Sequence, residues 1–169
     1  DSSLLKLISQ LRRFQMLFKN VGEYQDIQYR NVISRYYTVS QEEMPDTYNT
    51  FLEDVRKAGY TLLGPFFYTI NSKLEENQDV LMELFIPVEE EYIENALPKD
   101  FLYHSMFQVL NTVSTRILEP DDESVREGID FLAGYIRFRD YKELTPPFFF
   151  TTAIDEKFYT DIQVGVLKE

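Results

Sequence analysis

The sequence predicts an α+β fold. Two tandem strand–helix–strand–strand (βαββ) repeats would form one antiparallel-rich six-stranded sheet, with helices on one face, a concave cleft on the other and an N-terminal helix in front. Three observations predict it. Periodicity reads strand, helix, strand, strand, twice over. Three stretches recur in the same order: Tyr29–Ser40 (YRNVISRYYTVS) with Tyr103–Ser114 (YHSMFQVLNTVS), Gly64–Thr69 (GPFFYT) with Pro146–Thr151 (PPFFFT), and Glu83–Ile86 (ELFI) with Gln163–Val166 (QVGV). Finally, 169 residues, 44% of them hydrophobic, suit one domain. A chain of this length removes roughly 70% of its unfolded surface from water.

Residues 4 to 18 read as an amphipathic helix, with Leu4, Leu7, Ile8, Leu11 and Phe18 at helical spacing. The stretch is basic: Lys6, Arg12, Arg13 and Lys19 against Asp1 give residues 1–22 a net +3, which leaves −15 for the rest of a chain of net charge −12. It suits a cap on the core, a linker or dimer arm, or a partner or membrane-surface helix. Met16 is a candidate natural start, which would make residues 1–15 an appended stretch. The domain proper is then 23–169, with repeat one at 23–98 and repeat two at 99–169.

Each repeat opens on a run rich in aromatic and β-branched residues, Tyr29–Val39 and Tyr103–Leu118. The first helix is bracketed by Pro45 at its start and Gly59 at its end, with Tyr48, Phe51, Leu52 and Val55 on one face. The second starts near Pro120–Glu123, with acids in its first turn, and turns Val125, Ile129, Leu132 and Ile136 inward. Two strands close each repeat: Thr61–Ile70 with Val80–Val88, and Pro147–Ile154 with Phe158–Leu167. The polar stretches Asn71–Asp79 and Asp155–Lys157 connect them.

Several classes of chemistry are excluded. With no Cys there is no disulfide and no thiol nucleophile, and with His104 as the single His there is no Cys/His zinc site. No phosphate-cradling glycine motif occurs, so no nucleotide cofactor is expected. The runs Glu89-Glu90-Glu91 and Asp121-Asp122-Glu123 read as solvated surface, or for the second a helix N-terminus, so no metal is expected. No apolar run reaches the roughly 18 residues a membrane crossing needs. The acidic body repels phosphate backbones and suits a basic protein partner, so no direct nucleic-acid contact is expected. Zero Cys is compatible with a cytoplasmic location.

One residue stands out chemically. By alternation, Val80, Met82, Leu84 and Ile86 point to one side of their strand and Leu81, Glu83 and Phe85 to the other. The apolar side belongs under the helices. Glu83 then sits mid-strand on the cleft face, desolvated in part, where a carboxylate takes a proton, a cation or hydrogen bonds. Its expected mate in the second repeat is Gln163, with Tyr159 on the same face. Tyr68, Phe85 and Phe150 supply aromatic surface. Tyr36 and Tyr37 lie on opposite faces, and Tyr37 is the one expected in the cleft. An acid among aromatics suits a flat or cationic organic ligand.

The repeated plan, the VLMELFIPV stretch of Val80–Val88 with its E-x-x-I-P-V pattern, and Gly64-Pro65 followed by Tyr68 resemble the GyrI-like superfamily over about residues 24 to 168. That superfamily includes the effector-binding domains of bacterial multidrug-sensing regulators. The GPFFY and E-x-x-x-PV stretches are similar, closer still, to an uncharacterised group of small Gram-positive bacterial proteins associated with polymorphic-toxin gene clusters. The resemblance implies a non-catalytic binding protein in one of two forms. One is an adaptor or inhibitor acting on a protein partner through its acidic surface. The other is a sensor whose Glu83 receives hydrophobic cationic or neutral ligands. It also implies a less favoured third reading, a hydrolase of electrophilic small molecules with Glu83 as base and Tyr68 as orienting donor.

Overall fold

The computed structural model describes residues 2–8, 20–75 and 77–168. Helix α1 covers 2–8. Then follow β1 (Val21–Val39), a 3-10 turn (Gln41–Glu43), α2 (Met44–Lys57), β2 (Phe67–Ile70), β3 (Val80–Pro87), β4 (Leu102–Leu118), α3 (Asp122–Phe138), β5 (Lys142–Glu143), β6 (Phe148–Ile154) and β7 (Lys157–Leu167). Leu4, Leu7 and Ile8 are exposed on α1. The rest of the expected N-terminal helix, with Leu11, Met16 and Phe18, lies outside the described residues.

All strand pairs are antiparallel, in the order β4-β1-β3-β2-β6-β7, and β4 also pairs with β7. The six strands therefore close on themselves as a barrel, with β5 paired to β7. This corrects the open sheet with a concave face. The reason is length: β4 pairs with β1 between Leu102 and Thr115 and with β7 between Thr112 and Leu118, so its second half has a partner on each edge. One strand thus bridges what would have been two free edges.

Two asparagines let the long strands bend. Asn31 (φ 54°) and Asn111 (φ 58°) adopt the left-handed conformation that Asn tolerates better than most residues. Around Asn31 the inward face switches: Ile27 and Tyr29 on one side, Val32 on the other, all join the same apolar cluster. Strict alternation could not put all three inside.

Two cores result. Under the helices, Phe51 and Val55 of α2 and Leu132 and Ile136 of α3 pack on Val80, Met82, Leu84 and Ile86 of β3 and Ile162 and Val164 of β7. Inside the barrel, Ile27, Val32, Phe67, Phe85, Phe148 and Phe150 are buried against Tyr29, Phe107 and Val109. Phe67 lies at the middle of that second cluster. Its ring stacks 4.8 Å from both Phe85 and Phe150.

The helix ends follow the expected chemistry. Pro45 sits in the first turn of α2, and Gly59 takes φ 97° just past its end. Asp121 accepts from the Ser124 amide (2.7 Å) while Ser124 Oγ accepts from the Asp121 amide (2.9 Å), a reciprocal cap on α3. Gly128 lets α3 approach the barrel: a Cβ there would sit 2.7 Å from Ile117 Cδ1 and 2.9 Å from Ile162 Cδ1. Glu23 ties the start of β1 to the end of α3. Its carboxylate accepts from Tyr135 (2.5 Å) and Tyr141 (2.8 Å) and lies near Arg139 and Lys168.

Candidate functional site

The barrel interior is not filled throughout. A cavity of about 470 Å³ opens beside Glu83. Register explains its make-up, because directly opposed residues share a face. Tyr36 of β1 and Thr69 of β2 flank Glu83 of β3. Phe85, Phe107, Val109 and Phe148 wall the cavity, and the Leu144–Pro146 stretch lines it beside β5.

Glu83 is 8% exposed. Ser34, fully buried, donates a 2.7 Å hydrogen bond to Glu83 Oε2. His104 Nε2 lies 2.9 Å from the same Ser34 oxygen. A hydroxyl has one proton, and Ser34 gives it to Glu83, so His104 is the donor in this second bond. The Tyr36 hydroxyl also bonds Glu83, and this, with burial, raises the Tyr36 phenol above its ordinary pKa. Among the described residues, no Lys or Arg forms an ion pair with Glu83. Thr69 also lines the cavity, and its buried Oγ1 has no hydrogen-bond partner among the described residues. The site thus holds an acid without a counter-ion and a hydroxyl without a partner, between flat aromatic walls.

Residues 28–168 match the family described as Domain of unknown function (DUF5085). The chain belongs to that family. No curated protein sequence matches the chain. The DUF5085 domain superimposes on the EcmrR C-terminal domain with a TM-score of 0.72 and 18% identity, over 88% of this chain and 98% of that one. The cryo-EM structure of the EcmrR–DNA complex in EcmrR-RPo gives a TM-score of 0.75 and 16% identity, over 99% of this chain and 67% of that one. An uncharacterised conserved protein from Listeria innocua gives 0.64 and 9%, over 94% and 98%. At these identities the likeness is one of fold: the DUF5085 domain shares the fold of the EcmrR C-terminal domain.

The structure brings only part of the expected residue set together. Glu83 and Phe85 line the cavity. Phe150 is inside the barrel, stacked on Phe67. Gln163 is paired with Phe148 and Ser114, and its Oε1 accepts a 3.3 Å bond from Thr112. Tyr159 lies toward the other end of β7, under the Arg116 guanidinium at 5.5 Å.

Tyr37 and Tyr68 do not reach the cavity. Tyr37 packs edge-on against Phe51 of α2, and Tyr36 lines the cavity instead. Tyr68 stacks on Tyr48 and Phe149 under the helices, where burial pushes the phenols of Tyr48 and Tyr68 up. The pairing of Glu83 with a Tyr68 donor is therefore corrected: the strand neighbour Thr69, not Tyr68, faces the acid. Thr69 and Phe107 were missed. A polar residue inside an aromatic run, such as Thr69 in FFYTI or Ser34 in VISRYY, was the available signal.

Proposed function

We propose that this DUF5085 domain is a non-catalytic binding module that takes an organic cation with an apolar flank into the cavity beside Glu83. One observation carries the reading: a carboxylate 8% exposed faces an open cavity, and among the described residues no basic side chain is paired to it. A buried charge left unpaired is unfavourable, and a bound cation relieves it. The Phe85, Phe107 and Phe148 rings supply apolar and cation–π surface beside it.

The reading includes a tandem repeat, supported by strand register. Adding 80 to β1 numbers, 81 to β2 and 78 to β3 converts pairs of the first half into pairs of the second. Tyr36↔Glu83 becomes Arg116↔Asp161, Ser34↔Phe85 becomes Ser114↔Gln163, and Phe67↔Phe85 becomes Phe148↔Gln163. The left-handed Asn31 and Asn111 take matching places in the two long strands, which sets the β1 offset at 80, so on this matching the mate of Glu83 is Asp161, not Gln163.

A second reading, an adaptor or inhibitor acting on a basic protein, is favoured by the net charge of −12. The same charge disfavours direct nucleic-acid contact by this domain.

A thermal-shift series with cationic and neutral aromatic compounds tests the proposal on wild type and Glu83→Gln. A ligand that binds only the folded state raises the midpoint by mass action. Cations are expected to raise the wild-type midpoint and to lose that effect in Glu83→Gln. If no compound moves either protein, the cavity reading fails and the acidic surface becomes the site to pursue.

A further inference from the structure

The second half of the barrel contains its own answer to a cavity-side carboxylate. Arg116 Nε and Nη2 bond the two oxygens of Asp161 at 2.7 and 2.9 Å, a side-by-side fork. The same guanidinium lies over the Tyr159 ring. By the register matching above, Asp161 corresponds to Glu83 and Arg116 to Tyr36. In the first half that arginine position holds an uncharged Tyr, and the acid faces the cavity instead of a guanidinium from the neighbouring strand. Thr69 adds a second difference. Its counterpart is Phe150, so a hydroxyl with no partner stands where the other half has a ring.

The geometry points to a guanidinium or amidinium as the group that the Glu83 cavity receives. This inference rests on the cation-binding reading and adds the chemistry of the head group. A planar fork donates two parallel N–H bonds to a carboxylate, and its remaining N–H can reach a free acceptor such as Thr69 Oγ1. Its plane stacks on aromatic rings, and it sheds water more readily than an ammonium. A quaternary ammonium has no N–H to give Thr69 or Glu83. The Ser34 bond occupies one lone pair of Oε2, which leaves a carboxylate oxygen room for further donors. The group comes either from a small molecule or from an arginine side chain of another protein, and the chemistry is shared.

Calorimetric titration with benzamidine, benzylamine and benzyltrimethylammonium tests the assignment on the full chain. Benzamidine is expected to bind tightest, by about tenfold, the worth of one charge-assisted hydrogen bond. Tyr36→Arg rebuilds the second half's ion pair in the first and is expected to abolish benzamidine binding while raising the unfolding midpoint. Equal or tighter binding of benzyltrimethylammonium overturns the guanidinium assignment but leaves the cation site standing. Undiminished benzamidine binding in Tyr36→Arg also overturns the assignment. Binding of none of the three to wild type overturns the cation site itself. Agmatine and an acetylated arginine peptide, compared in the same cell, decide the source: tighter peptide binding assigns the group to a protein partner, tighter agmatine binding to a small molecule.

Discussion

Ser34 and Glu83, 49 positions apart in sequence, are joined by a 2.7 Å hydrogen bond inside the barrel. The serine is fully buried and the acid nearly so. Removing the hydroxyl leaves a buried carboxylate short of one donor and His104 short of an acceptor. Ser34→Ala is expected to destabilise the fold by about 1–3 kcal/mol, the penalty of an unsatisfied buried polar group. Urea unfolding measures this. An unchanged midpoint would show that water replaces the hydroxyl at no loss.

The clasp at Glu23 predicts the shape of the pH–stability curve. Burial alone would raise this carboxyl. The Tyr135 and Tyr141 hydroxyls, with Arg139 and Lys168, outweigh burial and hold it below its ordinary value. A depressed carboxyl stabilises above its unfolded pKa, and the contribution is lost as pH falls through the folded one. Tyr135 works in the opposite sense. Burial, then its bond to Glu23, pushes it up to about 12. A raised phenol stabilises below its unfolded pKa, near 10, and the contribution fades as pH climbs toward the folded value. Glu23→Gln is therefore expected to flatten both the acid and the alkaline limbs of urea-midpoint against pH. Limbs of unchanged slope would assign the pH dependence to other groups.

How much of this was legible depended on whether two faces differ in character. β3 was readable because one face is apolar and the other carries Glu83, so period-two alternation sorted its residues correctly. Pro45, Gly59 and Asp121 marked the helix ends through local backbone chemistry. Where both faces are buried, alternation says nothing. In FFYT, Phe67 enters the barrel while Phe66 and Tyr68 go under the helices, and all three are aromatic. Tyr36 and Tyr37 posed the same choice on a strand whose inward face switches at Asn31. Closure of the barrel depends on β4 meeting β7, a long-range pairing that no local pattern encodes.

Gly128 tests how closely α3 must approach the barrel. Alanine is favoured over glycine inside a helix by about 1 kcal/mol. Against that, the new methyl would meet two isoleucine ends at 2.7 and 2.9 Å, and Ile162 is fully buried. Overpacking a tight core costs about 1–3 kcal/mol. Gly128→Ala is expected to be net destabilising by about 1 kcal/mol, measured by chemical denaturation. A stabilised variant would show that the isoleucine ends give way freely.

Phe67 separates the packing of the barrel from the chemistry of its cavity. Its ring does not line the cavity, but it stacks 4.8 Å from Phe85 and lies 5.8 Å from Phe107 and 6.2 Å from Phe148, three rings that do. Phe67→Ala is expected to destabilise by about 3–5 kcal/mol through the void it leaves. Phe67→Leu fills most of that volume, so it should fold. It removes the ring that holds Phe85 flat, with an interplanar angle of 3°. Benzamidine affinity in Phe67→Leu is therefore expected to fall several-fold, with Glu83 and Thr69 untouched. Calorimetry on this variant distinguishes the two contributions. Retained affinity would mean that the carboxylate and hydroxyl suffice, and that the aromatic walls need no support from behind.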